Sequence, residues 1–307
     1  MKAWLTLLFC AVAASAAGAD TLTIGYQKGG GLLSLLKVQG TLEKNLAPHG
    51  YQVRWIEFPA GPQMLEALNA GSIDVGSTGA PPPIFAQAGG VDLLYIGAEP
   101  GTVHGEAVLV PASSTLRGVA QLKGKKVAFQ KGSGSHFLLV AALQKAGLAI
   151  SDIQPVYLSP ADARAAFVSG SIDAWVVWDP YLAAAQDTLK ARVLADYTGL
   201  RQPNNFYEAS RGFVSRAPAV VTTLLQTLAS TGAWANQHPD QVATLIAAQT
   251  GVPLAVAETW QRRSHAGTVP VSPAIAAAQQ HVADLFYDLK LIPKKVDVGS
   301  RVWRWQQ

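Results

Sequence analysis

The sequence predicts an α/β protein of two similar lobes with a ligand cleft between them, and three observations carry that prediction. Two short motifs recur in the same order at nearly the same spacing. Strand-like and helix-like stretches alternate through both copies. The 307 residues are 49% hydrophobic and only 14% charged, ample for one large core or two ordinary ones.

The duplication is legible directly. Thr23–Gly31 reads TIGYQKGGG and Val127–Gly134 reads VAFQKGSG; Leu65–Val75 reads LEALNAGSIDV and Arg164–Ala174 reads RAAFVSGSIDA. Both pairs are separated by about 100 residues, so the chain holds two related units of that size. In the first unit, Leu22–Tyr26 is a strand followed by a glycine-rich turn. A helix then runs through Leu32, Leu35, Leu36, Leu42 and Leu46, ended by Pro48–Gly50. Val53–Phe58 returns as a strand, Met64–Ala70 is a helix with Gly71 at its C-terminal cap, and Ile73–Gly76 is the third strand. The second unit repeats the scheme with 126–130, 135–147, 154–158, 162–169 and 172–177. Such alternation predicts parallel sheets covered on both faces. From Ala217 the pattern is helical, with Pro239, Pro253 and Pro273 in first-turn positions and Ser272 capping a last helix.

Residues 1–19 are expected to stand outside this fold. Lys2 is followed by an apolar stretch and by the small-residue run Ala17-Gly18-Ala19, the pattern of a cleavable secretory signal peptide. The single cysteine, Cys10, lies within it, so the remaining chain has no disulfide or thiol chemistry. With 24 Lys and Arg against 20 Asp and Glu, and no run of five like charges, the chain does not read as a nucleic-acid binder. The expected organisation is a signal peptide at 1–19, a discontinuous first lobe at 20–106 plus 212–290, a second lobe at 107–211 and a tail at 291–307. Two crossings between lobes would let them close around a ligand.

Catalytic motifs fail on inspection. No two of the six histidines stand four apart, Ser133 has Lys131 and Ser135 where a nucleophile elbow needs glycines, neither glycine-rich turn completes a dinucleotide fingerprint, and Gly118–Lys126 fails as a phosphate loop. No catalytic residue, metal or cofactor is expected. The turns are instead suited to an anion: a strand passing through glycines into a helix leaves backbone N–H groups unpaired, with the helix dipole behind them. Candidate ligand residues are Gln27 and Gly30 in the first turn, Ser77, Thr78 and Gly79 after the third strand, and Ser133, Ser135 and His136 in the second turn. Trp178 is a candidate wall for an apolar ligand tail, because it matches Gly79 in the repeat and precedes Asp179-Pro180. Asp179 is expected to cap the next helix, Trp175 to be core or cleft, and Lys28 and Lys131 to be exposed loop lysines. Phe206 and Tyr207, in the return segment, are weaker candidates for the cleft wall.

Four segments carry a resemblance: Pro59–Gly79, Lys126–His136, Pro160–Tyr181 and Ala283–Asp297 are similar to the periplasmic aliphatic sulfonate-binding proteins of ABC importers. The resemblance spans essentially the whole chain after residue 19. It implies a type II periplasmic-binding fold and capture of alkanesulfonates for delivery to an inner-membrane permease and its ATPase, as a sulfur source. It also implies a monomer in the periplasm. Taurine, nitrate or another small oxyanion-bearing solute is the alternative ligand. An enzyme on the same fold, related to pyrimidine synthases of the thiamine-precursor branch, would need iron and a cysteine-rich motif absent after residue 19. Ala80 replaces an acidic residue expected in relatives, and with Pro81–Pro83 it makes an uncharged rim opposite Trp178. That rim predicts tighter binding of butanesulfonate than of taurine, whose ammonium would be buried unpaired. Ser135 is expected to donate to the anion.

Overall fold

A computed structural model describes residues 19–27 and 31–304. The expected signal peptide lies, but for Ala19, outside the described residues, as do Lys28, Gly29 and Gly30.

The first unit runs β1 (Asp20–Gln27), α1 (Gly31–Gln39), α2 (Thr41–Leu46), β2 (Tyr51–Phe58), α3 (Gly61–Asn69), β3 (Val75–Thr78), α4 (Pro81–Ala88) and β4 (Leu93–Glu99). The chain then crosses to β5 (Glu106–Val110), β6 (Lys126–Phe129), α5 (Gly134–Lys145), β7 (Gln154–Tyr157), α6 (Pro160–Val168), β8 (Ala174–Trp178), α7 (Tyr181–Thr188) and β9 (Arg192–Ala195). It returns through β10 (Asn205–Ser210), α8 (Arg211–Arg216), α9 (Pro218–Gln237), α10 (Pro239–Thr250), α11 (Leu254–Arg263) and α12 (Pro273–Asp288).

These strands form two five-stranded sheets, ordered β2-β1-β3-β10-β4 and β7-β6-β8-β5-β9. The expected all-parallel pairing is corrected in one respect. β10 runs antiparallel to β3 and β4, and β5 runs antiparallel to β8 and β9. Both are the first strand after a crossing. The parallel strands end at the cleft, so a chain arriving from the other lobe enters the sheet at the cleft end and must run away from it. The lobe boundaries shift accordingly: β10 lies within 107–211 yet belongs to the first sheet, and Glu106 already opens a strand of the second. The segment 291–307 is not a detached tail through residue 304, since Ile292 and Val298 are buried and Val302 bridges to Tyr95.

The duplicated motifs have a structural cause. In each copy the aspartate of GSID accepts the backbone N–H of the unit's first strand, Asp74 from Thr23 and Asp173 from Lys126, at 2.9 and 2.8 Å. The preceding Gly71 and Gly170 hold left-handed conformations at φ 70° and 71°, which end α3 and α6. The helix expected through Leu32–Leu46 is two helices, because Gly40 is left-handed between them. Ser272 caps α12 as expected, accepting the Ile275 N–H at 3.3 Å. Among the described residues no helix is long and apolar enough to cross a membrane, and no group of three metal-ligating side chains occurs.

Candidate functional site

Four strand-to-helix turns open on one cleft between the lobes, which holds about 210 Å³ of free space. Gln27 ends β1, Thr78 ends β3, and Trp178 ends β8; Ser133 stands immediately before α5. All four line the cleft, with Ser77, Gly79 and Gly134. This is the crevice at the carboxyl ends of parallel strands, where α/β sheets bind ligands.

The two lobes approach each other closely at two glycines. A β-carbon added to Gly79 would sit 3.8 Å from both the Cα and the N of Gly134, so the turns of the two repeats face each other. Gly134 and Ser135 are in the first turn of α5, whose N–H groups have no carbonyl one turn back. α4 contributes differently. Pro81, Pro82 and Pro83 occupy its first turn and carry no N–H, which leaves the Gly79 and Ala80 amides as donors at that end.

Side-chain donors are fewer than the sequence suggests. Thr78 Oγ1 donates to Glu208 at 2.7 Å, and Ser133 Oγ donates to the Gln130 carbonyl at 2.7 Å. Gln27 Nε2 donates to the Ser77 carbonyl at 3.2 Å. Ser77, half-buried, keeps its hydroxyl free of protein partners among the described residues. Ser135 and His136 do not line the cleft at all. Both are fully buried, because successive helix residues rotate by about 100° and carry positions 135 and 136 from the cleft into the core. His136 accepts the Gly132 N–H at Nδ1, stacks on Phe129 at 5.0 Å and meets Phe286 edge-on at 5.3 Å. Burial, with Lys131 nearby, pushes its pKa down to about 4, so it is a neutral core side chain.

Other expectations resolve by geometry. Trp175 is core, at 1% exposed, whereas Trp178 is on the cleft wall. Asp179 Oδ1 accepts the Ala183 N–H at 2.9 Å, capping α7. It also pairs with Arg263 of α11 at 3.3 Å, and the same guanidinium donates to Gln186. Burial raises the Asp179 pKa to about 6 against the pull of Arg263. Phe206 is buried against Tyr95, and neither it nor Tyr207 lines the cleft. Lys131 lies over the Tyr157 ring, 5.4 Å from its centroid. Ala80 is buried, its carbonyl taken by Gln279 at 2.6 Å, and it is not part of the rim.

Sequence reasoning missed two of the carboxyl groups that line the cleft beside Asp179. Glu99 ends β4 and Glu106 opens β5, on either side of the first crossing. Each has a tyrosine donor: Tyr207 to Glu99 at 3.1 Å and Tyr197 to Glu106 at 3.4 Å. Each also sits at a glycine that starts a helix. A β-carbon on Gly31 would lie 3.6 Å from Glu99 Oε2, and one on Gly134 would overlap the Glu106 carboxyl. Burial pushes both pKa values up to about 7, with the tyrosine bonds opposing. No short motif announces them; the strands that carry them also went unread. Apolar side chains also line the cleft, among them Leu32, Val242, Ile246 and Trp260.

Two lobes joined by two crossings, closing on a cleft of backbone donors and apolar side chains, define a solute-capturing protein of the periplasmic-binding fold. The chain belongs to the NMT1-like family, whose sequence profile matches residues 15–250. It is 49% identical over 286 residues to the aliphatic sulfonates-binding protein of Escherichia coli K12, spanning 93% of this chain and 89% of that one. Among solved structures it is similar to the alkanesulfonate-binding protein of Xanthomonas axonopodis pv. citri bound to MOPS. That comparison has a TM-score of 0.90 and 45% identity, covering 94% of this chain and 100% of the other. The crystal structure of the E. coli periplasmic aliphatic sulphonate binding protein gives 0.85 and 48%, covering 94% and 93%. These relatives are binding proteins, not enzymes.

Proposed function

We propose that this protein is the periplasmic solute-binding component of an ABC importer, capturing aliphatic sulfonates and delivering them to a permease and its ATPase as a sulfur source. The observation that carries the reading is the facing pair Gly79 and Gly134, whose helix-start amides open on a cleft that is also lined by apolar side chains. Amides at helix starts suit a sulfonate head, and the apolar side chains suit an alkyl tail. The Xanthomonas relative, bound to a sulfonic acid buffer, supports the head-group chemistry. Export by a cleaved signal peptide and action as a monomer, one subunit per transporter, belong to the same proposal.

A second reading has one observation in its favour. Glu99 and Glu106 are carboxyl partners for a ligand ammonium, which would admit taurine-like zwitterions despite the uncharged residue at 80. Thermal-shift screening of the purified protein against butanesulfonate, taurine, nitrate and sulfate separates the readings. Stabilisation by butanesulfonate above the other three is expected. Stabilisation by nitrate or sulfate alone would overturn the sulfonate assignment.

A further inference from the structure

Glu106 stands where the ligand head group is expected to dock. It opens β5 at the cleft, and its carboxyl lies against the first residue of α5, with Oε2 2.9 Å from the position a Gly134 β-carbon would take. A carboxylate there and a sulfonate on the α5 amides would be two anions side by side in a confined space. The cleft offers little to neutralise them: among the described residues no lysine or arginine lines it.

The groups around Glu106 bear this out. Across β8 its register partner is Trp178, and the following Asp179 is engaged by Arg263. On the other side, β9 brings Arg192 only to the far end of β5, opposite Val110. α5 presents Gly134 nearby; His136, two residues on, is buried in the core and neutral, and Lys145 stands at the other end of the helix. Tyr197 supplies the single hydrogen bond the Glu106 carboxyl makes among the described residues. Glu99 and His265 line the same cleft from the first lobe.

Resting on the sulfonate reading above, we propose that Glu106 meets the ligand as a carboxylic acid. It donates its proton to a sulfonate oxygen, so that capture draws one proton onto the protein and strengthens as pH falls. A sulfonate has no proton of its own to supply near neutral pH, so the proton comes from solvent. The elevated pKa of the free protein, about 7, lets this uptake occur within the physiological range. By linkage, affinity then falls with a limiting slope of about tenfold per pH unit on the alkaline side.

The test is calorimetric titration with butane-1-sulfonate between pH 5.5 and 8.5, in phosphate and in Tris, which differ in ionisation enthalpy and contain no sulfonate. Weakening above pH 7 and net uptake approaching one proton at pH 8 are expected. Glu106→Gln, checked for folding by circular dichroism, is expected to flatten the pH profile and remove the uptake. A wild-type profile without slope or proton uptake overturns the proposal independently of any variant, as does an unchanged profile in Glu106→Gln. Proton release, with 3-aminopropane-1-sulfonate bound more tightly than the isosteric butane-1-sulfonate, would instead make Glu106 a carboxylate partner for an ammonium. Failure of butane-1-sulfonate to bind at any pH would overturn the sulfonate reading itself.

Discussion

Glu99, Ser135 and His136 illustrate how one residue's setting decides its role. Ser135 Oγ is buried without a hydrogen-bond partner among the described residues and does not reach the cleft, so the donor role expected from sequence is withdrawn. Ser135→Ala is therefore expected to leave sulfonate affinity within about twofold and to stabilise the fold slightly, because it removes an unsatisfied hydroxyl. Titration and thermal unfolding check both halves. The Glu99 carboxyl, raised to about 7 from an unfolded value near 4.5, binds protons better in the folded state. Its contribution to stability is therefore present at acid pH and is lost as pH rises through about 7. His136 has the opposite sign. With its pKa depressed to about 4, its contribution is present above the unfolded value near 6.5 and is lost as pH falls toward 4. Glu99→Gln is expected to lie higher in Tm, relative to the parent, at pH 8 than at pH 5. A Tm difference that does not change with pH would contradict this.

Among the elements, the crossings are the tightest-fitted. A β-carbon on Gly101 would overlap the Pro203 carbonyl, so the outgoing and returning segments pass each other where only glycine fits. Gly101→Ala is expected to destabilise the protein by about 1–3 kcal/mol, the usual cost of overpacking, and to alter lobe closure. Chemical denaturation measures the first effect and small-angle scattering, with and without ligand, the second. The crossings also mark what the sequence did not disclose. Elements with strong periodicity and cap signals were legible: β1, β2, α3, β6, α6 and α12 were all foreseen, and the repeated GSID motif located equivalent positions in both lobes. The strands β4, β5, β9 and β10 were not, because no repeated motif marks them and their pairing is set by a partner far along the chain. Glu99 and Glu106 went unseen with them. Of the candidate site, Gln27, Ser77, Thr78, Gly79, Ser133 and Trp178 lie on the cleft. Ser135 and His136 do not, although they follow the turn directly in sequence. Helical rotation had already turned those two side chains inward.

At the scale of the whole molecule, an ion pair also joins the two lobes beside the first crossing, where the Asp179 N–H donates to the Gly105 carbonyl. Arg263, on α11 of the first lobe, reaches Asp179 and Gln186 on the second. An ion pair at this position stabilises the closed arrangement over an open one, and ligand affinity scales with the closed fraction. Arg263→Ala is expected to weaken sulfonate binding by roughly tenfold, mainly through faster dissociation, as measured by stopped-flow intrinsic tryptophan fluorescence. Unchanged dissociation would remove the pair from the closure mechanism.

The central claim is that one cleft recognises an oxyanion head through backbone donors and an alkyl tail through its apolar side chains, Trp178 among them. Calorimetric titration with linear alkanesulfonates from methane- to hexanesulfonate, alongside sulfate and nitrate, tests it most directly. Affinity is predicted to rise by up to about fourfold per methylene, the equivalent of ~0.8 kcal/mol, until the free volume is filled. Trp178→Ala is predicted to reduce that increment. Sulfate or nitrate binding as tightly as butanesulfonate, or affinity that does not change with chain length, would contradict the account.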